Sequence, residues 1–187
     1  MQEEIDLTIE MAKDGMENSL AHLNSELQKV RSGRASADML SSVKVDYYGS
    51  TTPLDRVANV KAADARTLTI QPWEKGMIQP IEKAILQSNL GLNPQNDGAI
   101  IRLSVPPLTE ERRRQLIKFS QGLAEQAKVS VRNARRDAIE DIRKAVKNGY
   151  SEDAGKAAEA EVQKLTDGFI AAIDKIMEVK EKEILTV

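Results

Sequence analysis

The chain has 187 residues, enough for one domain or two small ones, and is 41% hydrophobic, 30% charged and 3% aromatic. Its core must be built from aliphatic side chains, the usual material of helix bundles, and the absence of cysteine excludes disulfides and thiolate metal sites. The net charge of −2 hides an uneven spread: residues 107–150 hold 11 basic and 6 acidic side chains, against 3 and 7 in 1–31 and 5 and 9 in 151–187.

The first segment places Ile5, Ile9, Ala12, Met16, Leu20, Leu23, Leu27 and Val30 at steps of three and four, which predicts a helix of about seven turns buried along one seam. Gly15 weakens that pattern without ending it. Ser32-Gly33 closes it, with Arg31 in the last turn, where a cation suits the helix dipole. From Val43 the period becomes two: Val43, Val45 and Tyr47 alternate with Lys44 and Asp46, predicting a strand that turns at Gly49-Ser50. Leu54–Val60 and Thr67–Ile70 read as further short strands. Met77–Asn89 reads as a short helix with Ile78, Ile81, Ile85 and Leu86 inward. Leu90–Pro94 and Asp97-Gly98 are expected to be loop, and Ala99–Val105 a strand.

Pro106-Pro107 enforces extended backbone. Thr109 as an N-cap, with Glu110 and Glu111 in the first turn, then opens a helix over 110–147. Its predicted seam is Leu116, Leu123, Ala127, Val131, Ala134, Ala138 and Ile142. Asn148-Gly149 ends it, and Ser151 with Glu152 and Asp153 starts another, whose seam is Ala158, Val162, Leu165, Phe169, Ala172, Ile176 and Val179. Three such helices close an antiparallel up-down-up bundle only if the intervening residues leave and return at one bundle end. The predicted fold class is therefore α+β. A long antiparallel three-helix bundle is formed by 1–31 and 107–187, and 32–106 is an inserted small mixed β/α domain. The two joining segments, Ser32-Gly33 and Val105-Pro106-Pro107, form a double hinge.

At about 100° per residue, Arg114, Lys118, Lys128, Arg132, Arg136, Arg143 and Lys147 fall in one sector of the 110–147 helix, with Arg135 at its border. The stripe is on the order of 50 Å long, and a rigid rod with phosphate-binding groups along one edge suits a nucleic-acid groove. Lys128, Arg132, Arg135 and Arg136 share one helix side, and the guanidinium fork can grip two phosphate oxygens at once. The same spacing fits, equally, a solvated charged face paired with Glu125 and with Asp137 or Glu140. Arg31 and Arg34 flank Gly33; they extend such an RNA contact, or serve as a dipole partner and a loop salt bridge.

The sole histidine, His22, has no neighbouring Cys, His or carboxylates at ligand spacing, so a surface or rim position is expected, with no catalytic residue, metal or cofactor. Neither G-x-x-x-x-G-K nor G-x-G-x-x-G occurs, so any nucleotide hydrolysis is left to a partner. Tyr47, Tyr48 and Trp73 read as core or partner-face residues. No apolar stretch is long enough for a membrane span, and Met1–Asp6 lacks a basic start to an apolar run. A cytoplasmic protein is the expectation. Two other classes compete: a helical protein that self-associates through its seams, and an enzyme sited within 32–106. The one-sided charge speaks against the first. The lack of converging His, Cys or Ser speaks against the second.

Arg31-Ser32-Gly33-Arg34-Ala35-Ser36, Val45-Asp46-Tyr47-Tyr48-Gly49, Thr52-Pro53-Leu54 and Leu90-Gly91-Leu92-Asn93-Pro94 occur in that order. They are followed by Pro106-Pro107-Leu108-Thr109-Glu110-Glu111-Arg112-Arg113, Val131-Arg132-Asn133-Ala134-Arg135-Arg136-Asp137-Ala138 and Gln163-Lys164-Leu165-Thr166-Asp167. Over essentially its whole length the chain resembles the bacterial ribosome recycling factors. That resemblance implies a monomeric, two-domain, L-shaped factor with the outline of a transfer RNA. It implies a bundle lying on large-subunit ribosomal RNA, with Arg132 and Arg135 at matched positions, and a smaller domain facing elongation factor G. GTP hydrolysis by that partner would drive subunit separation after peptide release, and initiation factor three would keep the subunits apart.

Overall fold

The computed structural model describes residues 1–30 and 33–186. It divides into two compact units, one built from Met1–Arg31 with Glu110–Thr186 and the other from Ser32–Thr109.

The larger unit contains α1 (Gln2–Lys29), α3 (Glu110–Lys147) and α4 (Glu152–Leu185). α3 runs antiparallel to both companions. Ser19 Oγ meets Ser130 Oγ at 2.8 Å and Tyr150 Oη meets Gln2 Oε1 at 2.7 Å, while Lys128 pairs with Asp174 and Arg143 with Glu159 on the α4 side. The boundaries follow local chemistry. Gly149, at a φ of 102°, takes the left-handed position that ends α3, and Ser151 Oγ accepts the Ala154 N–H to start α4.

Burial recurs every eleven residues on each rod, close to three whole turns. It falls on Ile5, Met16 and Leu27 in α1, on Ser120, Val131 and Ile142 in α3, and on Val162, Ile173 and Ile184 in α4. This spacing corrects the predicted α4 seam, which kept a seven-residue step beyond Phe169. A seven-residue seam drifts by roughly 20° per repeat on an ordinary helix. By the end of α4 it has left the core: Ile173, Met177 and Ile184 are buried, and Val179 is exposed. Val131, Ile142, Val162 and Ile173 are fully enclosed, each worth about 1.5–3 kcal/mol of removed apolar surface.

The smaller unit holds a hairpin of β1 (Lys44–Tyr47) and β2 (Ser50–Pro53). It also holds β3 (Ala58–Asp64), β4 (Thr67–Pro72), α2 (Ile78–Gln87), β5 (Pro94–Asn96) and β6 (Ile101–Ser104). β3 to β6 form one antiparallel sheet in the order β3-β4-β6-β5. Tyr48 and Gly49, with φ of 49° and 86°, turn the hairpin, and Asp46 Oδ1 accepts the Gly49 N–H at 2.8 Å. Leu68, Ile70, Ile101 and Leu103 alternate inward and share one core with Ile81 and Ile85 of α2.

Four expectations are corrected here. Leu54–Arg56 is a 3-10 turn and the strand begins at Ala58, because Pro53 is the last residue of β2 opposite Lys44 and the chain turns before it pairs with β4. Leu86 is exposed, since the narrow inward face of so short a helix is filled by Ile78, Ile81 and Ile85. Pro94, read as the end of a loop, instead opens the edge strand Pro94–Asn96 paired with β6, a position that tolerates proline. The small unit also extends beyond residue 106 to Thr109: Leu108 lies against Gly33, where there is no β-carbon to keep it away. The backbone clips both joining segments to consecutive carbonyls of one turn. Ala35 N–H donates to Ala65 O at 2.8 Å and Val105 N–H to Arg66 O at 2.7 Å.

Candidate nucleic-acid interface

α3 carries the cations because it is a single uninterrupted helix of 38 residues, buried on one side only. Its charged edge borders α4, and the four predicted contact residues are held differently. Lys128 is 22% exposed and its Nζ lies 2.6 Å from Asp174 Oδ1, so it is turned onto α4 and neutralised. Arg132 is 46% exposed and donates to Glu125 Oε1 at 3.1 Å, two turns back. Arg136 is 68% exposed and bonds Asp137 Oδ1 through Nε and Nη2 at 3.3 and 3.2 Å. Arg135 is half-buried, and its Nη1 donates to the neutral amide of Gln163 on α4 at 3.3 Å. The ion pairs with Glu125 and Asp137 are those a solvated face requires. At this exposure such pairs contribute about 0–1 kcal/mol each.

Towards the end of α3 the cations crowd together. Arg135, Arg136, Arg143, Lys144 and Lys147 line a concavity of about 520 Å³ with Ile139 and one acid, Glu140. Arg143 grips both carboxylate oxygens of Glu159 at 2.9 and 3.4 Å, which raises its already high pKa. Hydrogen bonding to Glu140, and then to Asp141, raises that of Lys144. Both stay cationic throughout the physiological range. Lys147 and Lys118 have no ion-pair partner among the described residues. Lys144 sits off the sector of the stripe and so is absent from it, but joins the concavity through its long stem.

The remaining candidates lie in the small unit or outside the described residues. Arg31 and Ser32 are outside them. Arg34 is exposed on the small unit with no ion-pair partner among the described residues. Gly33 is buried with φ of 81°, Pro106 and Pro107 are exposed, and Val105 is buried in the core and hydrogen-bonded to Arg66. Val105 is thus tied into the small unit. His22 is exposed at the rim of a groove between α1 and α3. Tyr48 and Trp73 are 77% and 65% exposed, so the core reading holds only for Tyr47, which packs half-buried against it. Among the described residues no group of three His, Cys, Asp or Glu is placed to hold a metal ion, and no helix is long and apolar enough to cross a membrane.

The sequence profile described as ribosome recycling factor matches residues 23–185. The chain belongs to the ribosome recycling factor family. It is 56% identical to the ribosome-recycling factor of Flavobacterium psychrophilum over the whole of both chains. It is 55% identical to that of Cupriavidus metallidurans over 92% of this chain and 93% of the other. Among solved structures, the solution structure of the ribosome recycling factor superimposes with a TM-score of 0.71 at 40% identity over 98% of each chain. A second, at TM-score 0.60 and 44% identity over 97% of this chain and 98% of the other, comes from models for the T. thermophilus ribosome recycling factor and the E. coli elongation factor G bound to the E. coli post-termination complex.

Proposed function

We propose that this protein enters the post-termination ribosome, lays the charged edge of α3 on large-subunit ribosomal RNA, and with elongation factor G and GTP separates the subunits for another round of initiation. The observation that carries the RNA contact is the crowding of five cations around one concavity of α3, continued by Arg132 along the same edge. The exposed ion pairs of Arg132 and Arg136 cost little to exchange for phosphate, and each phosphate neutralised releases counterions. Contacts of this kind position the protein on the backbone and shape of folded RNA and do not read its sequence.

Arg132, Arg135 and Arg136 carry the contact, extended by Arg143 and Lys147, while Lys128 supports the edge from the α4 side. Arg31 and Arg34 lengthen it near the junction. The protein acts as a monomeric cytoplasmic binding factor without cofactor, and the work of separation comes from the partner's GTP. The bundle is the RNA-binding domain. The smaller unit receives the push through a double joint at Gly33 and at Pro106-Pro107, where proline rigidity concentrates rotation at few bonds. Purified post-termination complexes test this directly. Subunit separation is expected only when the chain, elongation factor G and GTP are all present. Full separation without the chain, or none with all three, refutes the reading.

A further inference from the structure

Of the four cations Lys128, Arg132, Arg135 and Arg136 that share one side of α3, three are matched by a carboxylate and Arg135 is not. Arg135 is held only by an amide: Nη1 donates to Gln163 Oε1 at 3.3 Å, and the Nε is closed off from solvent without a partner. Among the described residues no carboxylate pairs with it. The amide is itself fixed. Gln163 Nε2 donates to Asp167 Oδ1 at 2.8 Å, one turn further along α4. A carboxylate can only accept and a guanidinium can only donate, so Asp167 and Arg135 together dictate which end of the amide faces each of them. A glutamate at 163 would hold an arginine about twice as strongly, but it would also cancel the charge.

We propose that Gln163, locked by Asp167, is a positioning residue for ribosomal RNA binding: it fixes the direction of the Arg135 guanidinium while leaving its charge uncompensated. With Nε buried and Nη1 bonded to Gln163, Nη2 with the second hydrogen of Nη1 remains for a phosphate. This rests on the RNA contact proposed above.

The test is equilibrium binding to purified large ribosomal subunits over a series of KCl concentrations, with thermal unfolding recorded for every variant. Arg135→Ala is expected to reduce the slope of log affinity against log salt by about 0.7–0.9, the loss of one phosphate contact. Gln163→Glu is expected to reduce it equally and to add nothing further on an Arg135→Ala background; it exchanges the Asp167 bond for a like-charge contact, so the unfolding midpoint is read only to confirm that the variant is folded at the binding temperature. Gln163→Ala, which loses direction but not charge, should keep the parental slope with several-fold weaker binding. A parental slope for Gln163→Glu, alongside a reduced slope for Arg135→Ala, overturns the role of Gln163 alone. A parental slope for Arg135→Ala overturns both that role and the assignment of Arg135 to RNA.

Discussion

A β-carbon on Gly33 would lie 2.5 Å from Cγ of Leu108, at a backbone φ of +81°. Two independent costs follow from any side chain there. The left-handed backbone costs about 1–2 kcal/mol, and overlap with the Leu108 side chain, which must shift to make room, adds about 1–3 kcal/mol. Gly33→Ala should therefore destabilise the small unit by about 2–5 kcal/mol. Adding Leu108→Ala should relieve the overlap but not the backbone cost. Trp73 is the only tryptophan and belongs to the small unit, so its fluorescence during denaturation reports this unit. A fluorescence midpoint unchanged by Gly33→Ala would show that the joint has slack.

Arg132→Ala combined with Arg135→Ala should weaken large-subunit binding and lower the salt slope by about twice 0.7–0.9, with helical circular dichroism retained. Lys128→Ala separates structure from contact. It leaves Asp174, which is 61% exposed, without its partner, so a stability loss of no more than about 1 kcal/mol is expected, with a salt slope close to the parental one. A pelleting assay at several salt concentrations checks both.

Gly155 faces Val146 across the α3–α4 turn, where an added β-carbon would meet Val146 Cγ2 at 2.5 Å. Gly155→Ala gains helix propensity of about 1 kcal/mol but overlaps Val146 at an overpacking cost of about 1–3 kcal/mol, so a net loss of up to about 2 kcal/mol is expected. Val146→Ala in the same chain should turn that loss into a gain. Thermal unfolding of the four members of the cycle measures the coupling directly.

Glu74 accepts the hydroxyls of Tyr47 and Tyr48 on its two oxygens, each at 2.8 Å. Those bonds, the one from Tyr48 first, hold its carboxyl below the ordinary range, and in return the Glu74 hydrogen bond holds both phenols above theirs. A lowered carboxylate contributes stability that is lost as pH falls through its folded-state pKa. A raised phenol contributes stability that is present below the unfolded value near 10 and lost as pH climbs towards the folded one. The small unit should thus weaken at both ends of the pH scale. In Glu74→Ala, tyrosinate absorbance should develop at lower pH than in the parent chain. Superimposable titrations would show that the clamp does not persist in solution.

The long helices were legible because caps and terminators are local: Ser151, Asn148-Gly149 and Glu110 act within one turn, and α3 spans the predicted 110–147. Seams were legible over the first few turns and failed at Val179, where a small error per repeat accumulates. Short strands were harder. Pro94–Asn96 becomes a strand only because β6 lies beside it, a partnership without local signal. In the candidate site the stripe gave the cations but not their states. Lys128 and Arg132 are equivalent in spacing, yet Asp174 on another helix neutralises one of them. Gln163 and Asp167 were part of a motif marked in the sequence, and their i, i+4 spacing announced the bond between them. Only the packing of α4 on α3 joined them to Arg135.

Clipping Ala35 and Val105 to the adjacent carbonyls of Ala65 and Arg66 bears on how the molecule assembles. In the unfolded chain α1 is cut off from its bundle companions by the entire intervening sequence, and ring closure grows costlier by about 0.6 kcal/mol with each doubling of that distance. Once the small unit has formed, its two ends emerge side by side and the detour vanishes, so the first rod meets the second as though a short turn linked them. The formed lesser body thereby removes most of the ring-closure cost of assembling the greater one.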